Sequence, residues 1–564
     1  MSERYLLLAE ADKIQDFVLF RASTLREVVG ASALLTRFCQ EAPTDCLGLT
    51  KDDIIVSDGG SFRLLFDSFE AAVEAGRELA DYYYMATGAQ MSVAPPVVWD
   101  DTEEGEGEGG KGKGKGEGEG EGEGEKKGFK KANRRAGRLL RSAKRHREPV
   151  STPHMPLVAF CTSAGVDLAA RYKKTKPGDS NDNKTYLSRA SLYKNRERNR
   201  NQGEKSFRQN FARQLEGFSQ WGKQPPWPET PEDVGRKGGY DPRDYVAYLV
   251  ADGNGMGKIF NGCPTPESLR GLSKKLSEIV CESLAAPTNK LMKIHTHSEK
   301  EHFIPVLPLI LGGDDLFVLL PAPWAISFAQ DFCNEFEKRM NDHLKDEADL
   351  DPDPEGDRAS MAAAVVICKS SFPFYLAHQR GEELLKSAKR LGKYQAAQSR
   401  STVTFEVITG NDSVQPDHDG EGLLYPSLRP YWTSDAKEDK DSIALQSLLN
   451  ARLKLDAMPQ KRRSQLRTLF MDATLQTKPK SEKQLNRLLN EWVGKFEKFL
   501  TRLKKLDEPY VSLIDEIMKE FRHRGKTPYW RSIWRGNKIV RANGLPDLLD
   551  AWDFLCDLEE EEAK

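Results

Sequence analysis

The sequence predicts an α+β protein in which one structural unit occurs twice and a helical region follows. Short apolar runs, typical of strands, alternate with segments that repeat apolar residues at the spacing of helices. Each copy of the unit also contains two apolar arms around a Gly-Gly turn, the pattern of a β-hairpin. Residues 413–564 begin with a loop and then keep helical spacing. These observations predict two mixed modules and a C-terminal α-helical domain.

The first copy occupies residues 1–100. Its elements in order are a strand at 4–9, a helix at 25–38, a hairpin at 54–66, a helix at 69–86 and a strand at 90–94. The second copy occupies residues 241–412 and repeats that order. Its elements are a strand at 245–252, a helix at 267–283, a hairpin at 306–321, a helix at 324–344 and a strand at 360–368. Strand–helix–hairpin–helix–strand is the order of a ferredoxin-like module, so the repeat predicts two of them.

The segment between the two copies is polar. Residues 101–150 hold a low-complexity insertion of Gly, Glu and Lys and then a basic segment, and residues 151–240 are a second basic region that ends in a linker. Residues 103–131 contain almost no apolar side chain, so we expect a flexible insertion. Residues 126–147 carry eleven Lys or Arg and no acid. This run either contacts RNA phosphates or is a solvated tether.

Composition limits the classes of protein that fit. The 564 residues are 38% hydrophobic and 30% charged, which is polar for a globular protein but not disordered. The 84 Lys and Arg nearly cancel the 86 Asp and Glu, so a uniformly basic nucleic-acid coat is excluded. No apolar run approaches the roughly 18 residues of a membrane span. Eight scattered cysteines without a CxxC pair indicate reduced thiols, and we expect a cytoplasmic protein.

The hairpin turn of the second copy carries the clearest chemistry. Its sequence is Gly312-Gly313-Asp314-Asp315. The glycines allow a ligand to approach the backbone closely, and two adjacent carboxylates at a sheet edge suit hard divalent cations. The alternative is that the motif is only a polar turn, because Gly and Asp favour turns for steric reasons.

A third carboxylate follows the first strand of the same copy, in the segment DGNGMGK at 252–258. If that strand lies beside the hairpin, Asp252 faces Asp314 across the sheet edge. Carboxylates from neighbouring strands could then hold one or two metal ions over a nucleoside triphosphate, as phosphoryl and nucleotidyl transfer require. The alternative is a glycine-rich turn after a core strand.

A helix at 381–395 adds a basic side chain to this region. Lys389 follows the apolar stripe of the helix by one residue, so it could lean over the sheet edge and meet triphosphate oxygens. Lys386 and Lys393 are expected to be solvated, as most lysines on such helices are.

Four segments match a known family in order, spacing and apolar pattern. They are DKIQDFVLFRASTLREVVGASALL, YLVADGNGMGKIF, LILGGDDLFVLLP and MAAAVVICKSSFPFYLAHQRGEELLKSAKR. Together they resemble the large polymerase/cyclase subunit of type III CRISPR effector complexes over most of residues 1–410. The resemblance implies two palm domains that face each other and bind two ATP molecules. It also implies that the palm with the GGDD motif converts ATP into cyclic oligoadenylate messengers when target RNA is bound.

The resemblance implies roles for individual residues. Asp252, Asp314 and Asp315 would be catalytic and would hold Mg2+ or Mn2+. The nucleotide would be bound in the second copy by Gly312, Gly313, Asn254, Gly255, Gly257 and Lys389. The first copy would be a non-catalytic palm that binds the acceptor nucleotide through Gly59, Gly60 and Ser61. Guide or target RNA and other subunits of the effector complex are implied as partners.

The chain departs from the family at three points. Asn254 stands where the family has a second aspartate in the first-strand motif. The family's N-terminal nuclease domain with its His-Asp motif is expected to be lacking, because nothing precedes the first palm. The four-cysteine zinc site between the palms is also missing from the sequence.

Two other functions remain open at this stage. The chain could be a catalytically silent scaffold subunit of a ribonucleoprotein that binds RNA and partners. It could also be a stand-alone cyclic-dinucleotide synthase, because those enzymes share a palm with a similar glycine-acidic turn. Clustered carboxylates favour an enzyme over a scaffold, since a scaffold has no physical need for like charges that repel one another. The duplicated palm favours the CRISPR family over a stand-alone synthase.

Overall fold

A computed structural model gives the conformation of most of the chain. It describes residues 3–22, 24–99, 128–145, 158–165, 167–173, 185–200, 207–221, 226–237, 240–296, 304–346, 359–394, 400–409, 424–425, 427–434, 443–475, 481–506, 508–522, 529–535 and 538–559. The Gly/Glu/Lys part of the predicted insertion, up to residue 127, lies outside the described residues. No described helix is long and apolar enough to cross a membrane.

The N-terminal module is built as the sequence predicts. Its elements are β1 (Arg4–Ala11), α1 (Leu25–Glu41), β2 (Ile54–Asp58), β3 (Ser61–Phe66), α2 (Phe69–Thr87), β4 (Met91–Val93) and β5 (Val97–Trp99). The strands pair antiparallel in the order β2-β3-β1-β4, with β5 also on β1. Both helices begin where a hydroxyl side chain accepts a backbone N–H: Thr24 caps α1 and Ser68 caps α2. One face of the sheet packs on α1 and α2 through a separate apolar core.

The described part of the connecting region contains four α-helices, of which α3 and α4 pack on this module. Its elements are α3 (Phe129–Arg145), β6 (Arg171–Lys173), β7 (Thr185–Leu187), α4 (Arg189–Arg200), α5 (Phe207–Arg213) and α6 (Phe218–Trp221). The basic run predicted as an RNA contact or a tether is therefore helical over α3, and Phe129 stacks edge-on against Trp99. α4 lies along α1 so closely that a Cβ on Gly30 would be 2.0 Å from the carbonyl oxygen of Lys194. Glycine is required there for the two helices to meet.

The second module repeats the first with a longer sheet. Its elements are β8 (Tyr245–Asn254), α7 (Met256–Gly262), α8 (Pro266–Thr296), β9 (Leu307–Gly312), β10 (Asp315–Pro321), α9 (Ala325–Asp346), β11 (Ser360–Lys369), α10 (Phe374–Tyr394) and β12 (Thr402–Val407). The strands follow the order β12-β11-β8-β10-β9. Apart from the added β12, this is the same order as in the N-terminal module. β8, β10 and β11 are buried over nearly their whole length, because helices cover both faces of the sheet.

The C-terminal region is mostly but not entirely helical. Its elements are β13 (Leu424–Tyr425), β14 (Tyr431–Trp432), α11 (Leu445–Lys454), α12 (Gln460–Leu475), α13 (Glu482–Lys505), α14 (Val511–Arg522), β15 (Arg531–Arg535), β16 (Lys538–Ala542) and α15 (Leu545–Asp550). β14 extends the second sheet by pairing with β12, and β13, β16 and β15 form a small sheet of their own. The prediction of a purely helical end was wrong at these strands. β13 and β14 are only two residues long, and β15 and β16 carry charged residues, so none of them shows the apolar alternation that marks a strand.

α8 joins the two modules. Arg270 donates from Nε to the carbonyl of Ile54 at 2.9 Å and from Nη2 to that of Asp52 at 2.8 Å. About two turns further along α8, the hydroxyl of Ser277 donates to Asp58 Oδ2 at 3.0 Å. These bonds fix the hairpin of the first module beside the second module.

Candidate functional site

Three aspartates meet at one edge of the second sheet. Asp252 lies near the end of β8, and Asp314 and Asp315 lie at the β9–β10 turn. The antiparallel register of β10 and β8, continued by one residue, places Asp315 opposite Asp252. Asp314 lies over the neighbouring position, because a Cβ on Gly253 would be 2.9 Å from Asp314 Oδ2. The sequence predicted that Asp252 faces Asp314; the register shows that its direct partner is Asp315.

Lys389 reaches this edge from α10, as the sequence suggested. Its ammonium group donates to the carboxylate Oδ2 of Asp252 and forms an ion pair with it. Both side chains keep more than a quarter of their surface exposed. Lys386 is exposed on the same helix and lies in the predicted solvated position. Lys389 is therefore positioned to place a positive charge at the acidic edge.

Burial and nearby negative charge raise the pKa values of the two turn aspartates. Burial, and then repulsion by Asp252, raises the pKa of Asp314 to about 6. Loss of hydration, followed by repulsion from Asp252 and Asp314, raises the pKa of Asp315 to about 8. Lys389 lowers both pKa values only in part. A cluster in this state would be stabilised by an added cation.

Glu382 is a fourth acidic side chain at the site, and the sequence reasoning missed it. It lies on α10 seven residues before Lys389, so both are on one face of the helix. Burial and then the charge of Asp252 raise the pKa of Glu382. Gln15 of the first module donates to Glu382 Oε1 at 3.3 Å, and His378 Nε2 lies 3.7 Å from the same oxygen. In the sequence, the only sign of this role is that Glu382 lies two helical turns before Lys389.

Asn254 is buried at the end of β8 with an unpaired oxygen. It is 5% exposed, and its Nδ2 donates to the hydroxyl of Ser360 at 3.1 Å. Its Oδ1 is buried and has no hydrogen-bond partner in the described part of the chain. A buried amide oxygen without a donor is an acceptor that a ligand can satisfy.

Glycines are required in the second module for different reasons. Gly255 and Gly313 have φ angles of 76° and 60°, and both, like Gly257, would carry a Cβ into open space. The left-handed backbone explains the first two. Gly312 is different, because a Cβ there would lie 3.1 Å from the Cα of Gly59. The packing of two turns thus accounts for Gly312 without any ligand.

The turn of the first module is packed rather than open. Gly59 donates its N–H to Asp58 Oδ1 at 2.8 Å, and a Cβ on Gly60 would meet the side chain of Ile14 at 2.7 Å. Ser61 pairs with Glu10 of β1. Of the three residues predicted to bind the acceptor nucleotide, Gly59 contacts the second-module turn, and Gly60 and Ser61 pack within the first module.

The donor types at this edge fit a divalent cation. Three carboxylates and the unpaired oxygen of Asn254 are hard oxygen ligands, and burial together with mutual repulsion raises the pKa values of Asp314 and Asp315. The described residues contain no group of three His, Cys, Asp or Glu side chains arranged to hold a metal ion. At Asp252 the ion pair with Lys389 supplies the counter-charge instead.

The second module matches a family. Residues 245–397 match the family model described as Cas10/Cmr2, second palm domain. The resemblance to the large subunit of type III CRISPR effector complexes is thus confirmed, and the chain is Cas10-like in this module. No relative among curated protein sequences matches the chain.

Solved structures of low identity are similar to the chain. The crystal structure of Csm1 from T. onnurineus is 14% identical, with a TM-score of 0.49 over 98% of this chain and 70% of that chain. A Csm1–Csm4 cassette is 14% identical both as the apo form, with a TM-score of 0.41, and in complex with cA4, with a TM-score of 0.40. These two matches cover 71% of this chain and 54% of the other, so the chain spans about half the length of the cassette chain.

Proposed function

We propose that the chain is a metal-dependent nucleotidyltransferase that converts ATP into cyclic oligoadenylate messengers in CRISPR-type antiviral defence. The observation that carries the proposal is the meeting of Asp252, Asp314 and Asp315 at one sheet edge beside Lys389. This edge lies within the segment that matches the Cas10/Cmr2 second palm domain. In this proposal residues 241–412 are the catalytic palm and residues 1–100 are a non-catalytic palm.

The reaction joins two nucleotides through a phosphodiester bond. A ribose hydroxyl of one nucleotide attacks the α-phosphorus of the other and gives up its proton to water. A P–O bond forms to the hydroxyl oxygen, and the bond to pyrophosphate breaks, so that pyrophosphate leaves. Mg2+ or Mn2+ at Asp252, Asp314 and Asp315 would neutralise the triphosphate and lower the pKa of the attacking hydroxyl. Lys389 donates to phosphate oxygens in this scheme. Gly255, Gly257 and Gly313 leave room for phosphate beside the backbone.

The acceptor nucleotide binds beside the first module's turn. The contact between Gly59 and Gly312 supports this assignment, because it brings that turn to the acidic edge. Gly60 and Ser61 continue the same turn into β3. Asn254 offers its unpaired oxygen to a donor on the base or ribose, or to the cation. The partners in this proposal are nucleoside triphosphates, guide or target RNA, and other effector subunits.

Product analysis of the purified protein tests the proposal. The protein is incubated with each nucleoside triphosphate and Mg2+ or Mn2+, with and without RNA, and products are separated by mass. Cyclic or linear oligoadenylates that depend on the metal support the proposal. Absence of any product with every nucleotide, metal and RNA would contradict it.

A catalytically silent scaffold is the second candidate. The ion pair between Lys389 and Asp252 favours it, since this pair neutralises one of the three proposed metal ligands within the protein. If the chain is a scaffold, its binding to RNA or to other subunits should be unchanged when Asp314 and Asp315 are replaced. A stand-alone cyclic-dinucleotide synthase would instead give cyclic dinucleotides without RNA.

A further inference from the structure

α3 has one apolar side and one strongly basic side. Its apolar side packs on the first sheet through Phe129, Ala132, Ala136 and Leu140, all of which are buried. The opposite side is rich in cations: α3 contains eight Lys or Arg and no acidic residue. The exposed ones are Lys131, Arg134, Arg135, Arg138, Arg141 and Arg145.

The exposed cations follow one face of the helix. Their spacings of three, four and seven residues place them on a common stripe. The stripe from Lys131 to Arg145 is about 21 Å long at the rise of an α-helix. Its successive turns are about 5.4 Å apart, so the cations form a regular row along the helix. We call this stripe the α3 basic face.

Most of these cations are not neutralised by the part of the chain that the structure describes. Arg134 donates to the carbonyl of Asn261, and the half-buried Lys144 pairs with Glu10 at 2.7 Å. The other five side chains of the α3 basic face form no ion pair or hydrogen bond with a described residue. Adjacent like charges cost free energy on a helix, so such a face favours an anionic partner.

We propose that the α3 basic face binds the phosphate backbone of a single-stranded nucleic acid without regard to sequence. Five of its six cations are arginines, whose planar guanidinium binds phosphate through two hydrogen bonds. The face has no exposed aromatic side chain to stack on bases, so it does not select a sequence. An anionic membrane is a poor fit, because the apolar side that would enter the bilayer is buried on the sheet. The inference is independent of the proposed nucleotidyl transfer.

Binding of labelled oligonucleotides to the full-length protein tests this inference. Fluorescence anisotropy is measured for 20-nucleotide RNA and DNA of two unrelated sequences, from low to moderate salt. The test variant combines Arg135→Gln, Arg138→Gln, Arg141→Gln and Arg145→Gln. We expect its affinity to fall at least about tenfold and the slope of log affinity against log salt to shrink by about 3, at about 0.7 per lost phosphate contact.

A matched control removes the same charge from α13. It combines Lys483→Gln, Arg487→Gln, Lys498→Gln and Arg502→Gln, which are all exposed on a helix that also carries acids. The control should bind like the unchanged protein, and both variants should keep its melting temperature. Equal losses in the two variants, or no loss in the α3 variant, would overturn the proposal. A preference of the unchanged protein for poly-glutamate over RNA at equal charge would assign the face to an acidic protein and would also overturn it.

Discussion

Gly59 and Gly312, from the hairpin turns of the two modules, pack directly against each other. A Cβ on Gly312 would lie 3.1 Å from the Cα of Gly59, and a Cβ on Gly59 would lie 3.4 Å from the carbonyl carbon of Gly312. Each module therefore limits the position of the other's turn. Because Asp314 and Asp315 follow Gly312 directly, this contact also sets where the acidic edge stands relative to the first module.

Replacing Gly312 with alanine should separate the two turns. The added methyl carbon would lie 3.1 Å from the Cα of Gly59, which is shorter than an ordinary van der Waals contact. The backbone must therefore shift by a few tenths of an ångström. We expect product formation to fall at least tenfold, because misplacement of reacting groups is costly, while the melting temperature changes little. Gly271→Ala, on α8 where a Cβ meets open space, is the control. Full activity in the Gly312→Ala variant would show that the contact does not position the site.

Gly30→Ala should destabilise the chain through the α1–α4 contact. Its Cβ would lie 2.0 Å from a backbone oxygen, which cannot move as a flexible side chain could. Overpacking of this kind costs about 1–3 kcal/mol. Gly494→Ala on α13 meets nothing within 4 Å, so it should stabilise the chain by about 0.5–1 kcal/mol through helix propensity. Denaturant unfolding measures both, and a neutral Gly30→Ala would refute the close approach of α4.

Lys194 makes the free energy of unfolding depend on pH in the alkaline range. It is fully buried on α4 and donates to the carbonyls of Phe17, at 2.6 Å, and Arg21, at 2.8 Å. Burial lowers its pKa from 10.5 to about 8. Between pH 8 and pH 10.5 the unfolded chain therefore binds more protons at this site than the folded chain, and stability rises with pH.

The Lys194→Met variant removes that contribution. Its free energy of unfolding should rise less between pH 8 and pH 10.5 than that of the unchanged protein, when both are measured by urea denaturation. Lys51→Met, at an exposed position, should keep the original pH dependence. Identical profiles for the Lys194→Met variant and the unchanged protein would show that Lys194 keeps its ordinary pKa.

Lys389→Met should weaken the use of triphosphate. The change removes the ammonium group that pairs with Asp252 and that, in the proposed function, contacts phosphate. We expect KM for ATP to rise about tenfold or more, because a charge-assisted hydrogen bond is worth about 1.5–3 kcal/mol. Lys386→Met removes an exposed charge one turn away and should leave KM nearly unchanged. Equal KM values for the two variants would exclude Lys389 as a phosphate ligand.

Local patterns predicted most of the fold, and contacts distant in sequence explain what they missed. The repeated order of elements, the GGDD turn and the position of Lys389 followed from apolar spacing and turn chemistry. The partner of Asp252 was displaced by one residue, because strand register depends on how the turn pairs Gly312 with Asp315. Glu382 was missed because the site gains it only when α10 packs on β8. α3 packs on the surface of the first sheet, and no local sequence pattern reveals that contact.

The Asp314→Asn and Asp315→Asn double variant should be at least as stable as the unchanged protein without metal. The pKa values of both carboxyls are raised in the folded chain. The native state therefore binds more protons than the unfolded state from about pH 4 upward, and ionisation opposes folding as pH rises toward 8. Asn removes this effect, so the gain in stability should be larger at pH 8 than at pH 5.

Oligoadenylate formation by this double variant tests most directly whether Asp314 and Asp315 hold a catalytic metal. Product is measured with Mn2+ and ATP, and the melting temperature of the variant is measured in parallel. Losing two carboxylates that hold a metal should cost several kcal/mol of transition-state stabilisation, about a thousandfold or more in rate. A double variant in which two exposed acids are replaced, Asp67→Asn and Asp81→Asn, controls for net charge and should keep full activity. We expect the Asp314→Asn and Asp315→Asn protein to be folded and inactive. Near-normal product from that variant would contradict this expectation.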